Sequence, residues 1–293
     1  MQRRTAIAAI LTGFASPFLT GPSRISGTRS STAELAAIER HVSGRLGVAA
    51  MDIATGRRLT YRATERFPMC STFKWLLAAQ VLSLVDAGQE QLSHVIPYSA
   101  RDLLDYAPIT RARVGDGGLS VAELSAAAVR HSDNTAANLL LRRVGGPASL
   151  TAYLRQLGDA VTRLDRIEPH LNSAVPGDVR DTTTPSAMIA NMEALLLRDQ
   201  LTGSSRALLL DWLVGNTTGD DKLRAGLPPA WRVGDKTGSG ANGTTNDVAI
   251  IWPSSGQPLL VAAYLTETSA SLPDRAQAIA AVARTVATWV EKA

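Results

Sequence analysis

The sequence is poor in several things that would each point to a class of protein. It has one cysteine, Cys70, in 293 residues, so no intramolecular disulfide can form and stability has to come from a packed core. A packed structural thiol is the better reading of that residue, because no histidine lies near it in sequence to make it a nucleophile. There is no Lys/Arg run after the first residues, and the net charge of +4 comes from 30 basic against 26 acidic side chains. An excess so small and so dispersed argues against a nucleic-acid partner. The four histidines, His41, His94, His131 and His170, form no metal-ligand spacing, so no metal and no cofactor is expected. Repeats and low-complexity tracts are also missing.

What is present is ordinary globular material: 45% hydrophobic and 19% charged residues with 14 prolines, enough to build one large domain or two modest ones. At the N-terminus Gln2-Arg3-Arg4 precedes an apolar run from Ala6 to Leu19. This run is too short for a membrane span and reads as an export leader over residues 1–27, with its cleavage point and the export route left open. The mature chain is therefore expected to be periplasmic or secreted, with no membrane attachment.

Patterning then divides the chain. Ser31-Thr32-Ala33-Glu34 is a capping-box pattern expected to open a helix of about ten residues. Two strands follow, Leu46–Ile53 and Arg58–Arg62, around a Thr55-Gly56 turn. The middle is helical. It contains an apolar run after Lys74, a second capping box at Ser120–Glu123, segments over 135–144 and 150–157, a helix from Pro185 capped by Thr184, and another over 204–212. Strands return at 231–239, 246–252 and 259–265 before a last helix over 274–289. The expected architecture is α/β, an α+β sandwich. One antiparallel sheet is built from both chain ends (28–64 and 213–293) with flanking helices, and an all-helical lobe (65–212) is inserted, with the active site between them. Residues 164–184 lack a pattern, and structureless loops of that length inside a domain tend to be functional.

The helix after Cys70-Ser71-Thr72-Phe73-Lys74 is apolar on almost every side, as buried helices are. Its first turn nevertheless carries a hydroxyl and an amine three residues apart, on one face. Ser71 as nucleophile with Lys74 assisting would account for both. Taken alone, Ser-x-x-Lys arises about once by chance in a chain of this length. Three further features give it weight: Ser132-Asp133-Asn134 in the break between two helices, Glu168 and Asn172 in the long loop, and Lys236-Thr237-Gly238 on a strand. In this order they make up a motif set already known from class A β-lactamases and penicillin-binding proteins.

The sequence resembles a class A serine β-lactamase over nearly all of its length after the leader. The resemblance implies hydrolysis of the β-lactam amide of penicillin- and cephalosporin-type antibiotics through an acyl-Ser71 intermediate, and so resistance to them. It makes Ser71 the nucleophile, Lys74 its neighbouring amine and Ser132 the proton relay to the leaving nitrogen. Glu168 becomes the general base, with Asn172 holding the deacylating water. Whether Lys74 or Glu168 takes the proton in acylation stays open.

Backbone N–H groups of Ser71 and Ser239 would form the oxyanion hole. Asn134, Lys236, Thr237, Gly238 and Ser239 would bind substrate, with Tyr106 as an aromatic wall. Where many relatives carry a strand arginine this chain has Thr245, and Lys222 is the candidate to supply that charge. Arg166 and Asp181 match a loop-bracing pair, Glu168-Pro169 a cis peptide. Gly240 stands where some relatives place a cysteine bonded to the position of Cys70. The alternatives are a D-Ala-D-Ala peptidase, against which Glu168 and Asn172 count, and a β-lactam sensor that stays acylated, against which Glu168 and the lack of a second apolar span count. A monomer acting on a small molecule is the expected state.

Overall fold

The structure, a computed structural model, describes residues 25–254 and 256–291. Residues 1–24, most of the expected leader, lie outside them. No helix among the described residues is long and apolar enough to cross a membrane.

Five strands form one antiparallel sheet: β1 (Arg45–Asp52), β2 (Arg58–Tyr61), β3 (Arg232–Ser239), β4 (Thr245–Trp252) and β5 (Leu259–Thr266), in the order β2-β1-β5-β4-β3. The two chain ends meet where β1 pairs with β5, Val48 opposite Ala263. Both faces of the sheet are covered at its centre, which is why β1, β5 and the second half of β4 read as nearly continuous apolar runs. Along β5, Leu259, Val261, Ala263 and Leu265 enter one core, while Leu260, Ala262 and Tyr264 enter the other. The first core is closed by α1 (Ile25–Val42) and the C-terminal helix; the second joins the sheet to the helical middle.

That middle holds α2 (Phe73–Asp86), α3 (Pro108–Ala112), α4 (Val121–Arg130), α5 (Asn134–Val144), α6 (Pro147–Gln156), α7 (Pro185–Met192) and α8 (Gly203–Val214); α9 (Leu272–Glu291) closes the chain. Helix α2 is buried on all sides from Phe73 to Leu82, with α4, α5, α6 and α8 packed around it. Ser120 caps α4 in a full capping box with Glu123, and Thr184 caps α7 with Pro185 in its first turn. Gly145, at φ +96°, ends α5 in the left-handed conformation that glycine adopts without a Cβ clash.

Two expectations are corrected. Helix α1 does not open at the Ser31 capping box but begins at Ile25, leaving Ser31 buried inside it. The box pattern occurs, but nothing upstream breaks the helix. Residues 164–184 are also not structureless: His170–Ser173 form a 3₁₀ turn, and Thr182–Thr183 pair with Phe67–Pro68.

Candidate active site

Ser71 sits in a 3₁₀ turn, Cys70–Thr72, that leads directly into α2. Cys70 before it has φ +45°, a left-handed conformation unusual for a residue with a side chain. The turn is fixed from the sheet: Asn246 on β4 donates from Nδ2 to the carbonyls of Pro68 (2.8 Å) and Met69 (3.1 Å). Strand β3 comes against the same turn at Gly238. A Cβ there would lie 2.7 Å from the Met69 carbonyl oxygen, so only glycine permits the approach. Ser71 and Ser239 thereby line the same cavity.

One turn along α2, Lys74 is fully buried. Its Nζ donates to the Ser132 carbonyl (2.7 Å) and to Asn134 Oδ1 (2.5 Å), and lies 2.9 Å from Glu168 Oε1. This answers how a lysine survives so near a buried helix start: it has a carboxylate partner and a full set of acceptors. Burial presses its pKa below the usual lysine range, and the Glu168 carboxylate opposes that.

Ser132 and Asn134 are presented by the break between α4 and α5. Ser132 adopts φ +56°, and Asp133 caps α5 through Ala136 N–H (2.9 Å). The other Asp133 oxygen accepts from the N–H groups of Ile109 (3.0 Å) and Thr110 (2.9 Å), locking the turn to α3. Ser132 Oγ accepts from Lys236 Nζ at 3.0 Å and from Lys74 Nζ at 3.4 Å. Lys236, on β3, is also fully buried. Burial, and then the positive charge of Lys74, push its pKa down to about 7.

Glu168 hangs from the long loop. Its Oε1 accepts from Ser71 Oγ (3.3 Å) and its Oε2 from Asn172 Nδ2 (2.5 Å). The peptide to Pro169 is cis, as the resemblance implied. The base of the loop is closed by Arg166 Nε on Asp181 Oδ2 (2.5 Å), while Asp181 Oδ1 accepts the N–H groups of Asp165 and Arg166.

An open cavity of about 370 Å³ lies over Ser71 and is lined by Tyr106, Ser132, Asn134, Asn172, Lys222, Thr237, Gly238 and Ser239, with Thr218. The structure thus brings the candidate residues together around one cavity. Lys74, Glu168 and Lys236 are buried behind that lining and hydrogen-bonded to Ser71 or Ser132, and Arg166 with Asp181 closes the base of the loop that bears Glu168.

The geometry can be set beside known proteins. A model of the β-lactamase enzyme family matches residues 30–290. β-Lactamase CTX-M-8 of Citrobacter amalonaticus is 49% identical, over 86% of this chain and 87% of that protein. β-Lactamase L2 of Stenotrophomonas maltophilia is 46% identical over 94% of each. Among solved structures, an ancestral (GNCA) class A β-lactamase superposes with a TM-score of 0.86 at 59% identity, covering 87% of this chain and 98% of that one. The chain belongs to the class A serine β-lactamase family. The putative class A β-lactamase PenP of Rhodopseudomonas palustris is similar as well, at 51% identity and a TM-score of 0.86 over 88% and 98% of the two chains.

Within this β-lactamase fold, several supporting residues escape sequence reading. Asn138, one turn after Asn134 on the same face of α5, holds the Glu168 backbone at both its N–H (3.0 Å) and its carbonyl (2.9 Å). Thr218 shares a hydrogen bond of 2.5 Å with Thr237. Asp235 and Asp247 are buried side by side beneath the 216–224 segment. Asp235 accepts from Arg224 Nε (2.7 Å) and Asn216 Nδ2 (2.6 Å), and Asp247 from Leu223 N–H (3.1 Å). Burial, with Asp235 beside it, raises the Asp247 carboxyl well above the usual range. A signal did exist, since carboxylates at inward positions of an apolar strand need a reason.

Lys222 reaches the cavity with its ammonium on the Thr218 carbonyl (3.2 Å) and on Asp221 Oδ1 (2.6 Å). Cys70 is free and buried, its thiol pushed up by that burial. At Gly240 a Cβ would fall 2.6 Å from the sulfur.

Proposed function

We propose that this β-lactamase works by a two-step acyl transfer on Ser71. Ser71 Oγ attacks the β-lactam carbonyl carbon, its proton leaves to the Glu168 carboxylate, and the oxyanion forms against the N–H groups of Ser71 and Ser239. The C–N bond then breaks. The ring nitrogen takes the Ser132 hydroxyl proton, and Lys74 resupplies Ser132. Lys74 in turn takes the proton that Glu168 received from Ser71, so Glu168 is a carboxylate again once the acyl-enzyme has formed. Ser132 Oγ already accepts from Lys236 at 3.0 Å, so its own hydrogen is free to point at substrate.

The donor count supports Glu168 as the acylation base. An ammonium has three hydrogens, and Lys74 has three short acceptors, the Ser132 carbonyl, Asn134 Oδ1 and Glu168 Oε1. In that arrangement Lys74 has no lone pair for the Ser71 proton, whereas Glu168 Oε1 already accepts it. Glu168 therefore serves both half-reactions. In the second it removes a proton from water oriented by Asn172, and the hydroxide attacks the acyl carbonyl, releasing the penicilloate-type acid and restoring Ser71.

The substrate's amide side would meet Asn134 and the Ser239 carbonyl. Its carboxylate would meet Thr237, the Ser239 hydroxyl and the Lys236 charge, with Lys222 at the rim in place of a planar arginine. Tyr106, half-exposed at the mouth, would flank the acyl substituent. Arg166 and Asp181 keep the Glu168 loop shut. The reading further includes a division of the chain into 28–64 with 213–293 and 65–212, a leader directing export to the periplasm or medium, a monomer, and protection of the host from β-lactams.

The single observation that carries the mechanism is Glu168, with one oxygen on Ser71 and Lys74 and the other on Asn172. A sensor that stays acylated needs the acylating half alone. Intact-mass measurement during turnover of a slow cephalosporin tests it: a ring-opened adduct should map to Ser71 and vanish in Ser71→Ala. An adduct elsewhere, or turnover by Ser71→Ala, excludes the scheme.

A further inference from the structure

Asn246, fully buried on β4, uses the two ends of its amide unequally. Its Nδ2 donates to two successive carbonyls of the turn before Ser71, those of Pro68 and Met69, while its Oδ1 has no hydrogen-bond partner among the described residues. A buried amide oxygen left unpaired is costly, so the position is used for its two donor hydrogens rather than to fill space. Gly238 stands directly opposite on β3. Facing residues of a strand pair share one side of the sheet, and with no side chain at Gly238 the turn settles onto that side, within reach of the amide.

Between the anchored carbonyls and Ser71 lies Cys70, at φ +45°. A residue with a side chain stays in that region only where its surroundings over-determine it. The Met69–Cys70 peptide plane is held at its carbonyl by Asn246 Nδ2 and Thr72 Oγ1, and the Cys70–Ser71 plane at its carbonyl by the Phe73 N–H. The second plane carries the Ser71 N–H, and its direction follows from the first through the two Cys70 dihedrals.

We infer that Asn246 is a positioning residue for acyl transfer: its two amide hydrogens hold the turn in the one conformation that aims the Ser71 N–H at the oxyanion. The inference rests on the acyl-Ser71 reading above. Its effect is confined to the states in which charge develops on the carbonyl oxygen, because Asn134, Thr237 and the rest of the cavity wall bind substrate without it.

An arylboronic acid, whose boron takes Ser71 Oγ as a fourth ligand and presents an oxygen where the oxyanion forms, is the probe. At a temperature where Asn246→Leu is folded by circular dichroism, its kcat/KM for a cephalosporin and its affinity for the boronic acid should both fall about tenfold or more. The Kd of the intact cephalosporin, measured in a Ser71→Ala background, should change by less than about twofold. Asn246→Ser has one hydroxyl hydrogen in place of the two amide hydrogens and should fall between Asn246→Leu and the wild type. Wild-type kcat/KM and boronic acid affinity in either variant, or a ground-state Kd that weakens in step with them, overturns the role of Asn246 and leaves the hydrolase standing. A wild-type enzyme that neither bonds the boronic acid at Ser71 nor turns over the cephalosporin overturns the mechanism and this inference together.

Discussion

Asn138 and Glu168 are joined through backbone on one side and side chain on the other. Asn138 Oδ1 accepts the Glu168 N–H at 3.0 Å, and Asn138 Nδ2 donates to the Glu168 carbonyl at 2.9 Å. The loop residue that would activate water is thus held by helix α5, the helix that also presents Asn134. Acylating and deacylating groups share one rigid support, α5 and the α2 helix it packs on.

Asn138→Ala removes both bonds and leaves two part-buried backbone groups unpaired. The cost should be about 1–3 kcal/mol, and Tm should fall by about 2–4 °C for each kcal/mol in a protein of this size. Deacylation should suffer more than acylation, so stopped-flow traces should show a burst with a steady-state rate reduced at least about tenfold. An unchanged steady-state rate would mean that the loop is held by Arg166 and Asp181 alone.

Asp133→Ala should be more damaging to the fold. It deprives Ala136, Ile109 and Thr110 N–H groups of their acceptor at once, with an expected loss of about 3 kcal/mol or more. Thermal denaturation gives the stability. The released turn should also move Ser132 and Asn134, lowering kcat/KM by more than about tenfold.

Lys236 predicts a pH dependence. Its protonated form is the one that attracts a carboxylate, and burial with Lys74 nearby lowers its pKa to about 7. The sign follows: kcat/KM should fall as pH rises through that lowered value, well before free lysine, near about 10.4, would lose its proton. Lys236→Arg keeps its charge throughout and should move the alkaline limb upward. A limb in the same place for both enzymes assigns it to another group.

How much of this was legible in sequence can be read from particular residues. Strands β4 and β5 were found to within a residue because both sheet faces are covered, which makes Val248–Trp252 and Leu259–Leu265 dense apolar segments. Strand β3, with Val233 as its one large apolar side chain, was legible instead through its Lys236-Thr237-Gly238 motif. Helix α2 announced its burial in the same way. The stretch 87–119 gave no expectation of helix or strand. It is polar and short-ranged, and its helix α3 is tied to Asp133 across more than twenty residues of chain, a contact no local pattern encodes. In the site, the motif residues were readable because their chemistry restricts residue type. Asn138 and Asn246 were not, because a polar residue in a helix or strand looks the same whether it faces solvent or clamps a catalytic segment. The Ser31 pattern failed for the opposite reason, being a local signal with no tertiary need for it.

The central claim is that Glu168 decides release. Mixing Glu168→Ala with a chromogenic cephalosporin in stopped flow measures it directly. The predicted result is steady turnover for the wild type, against at most one equivalent of product for the variant, reached more slowly than by the wild type and followed by a persistent adduct on Ser71. Continued multiple turnover by Glu168→Ala at a rate near that of the wild type would contradict the account.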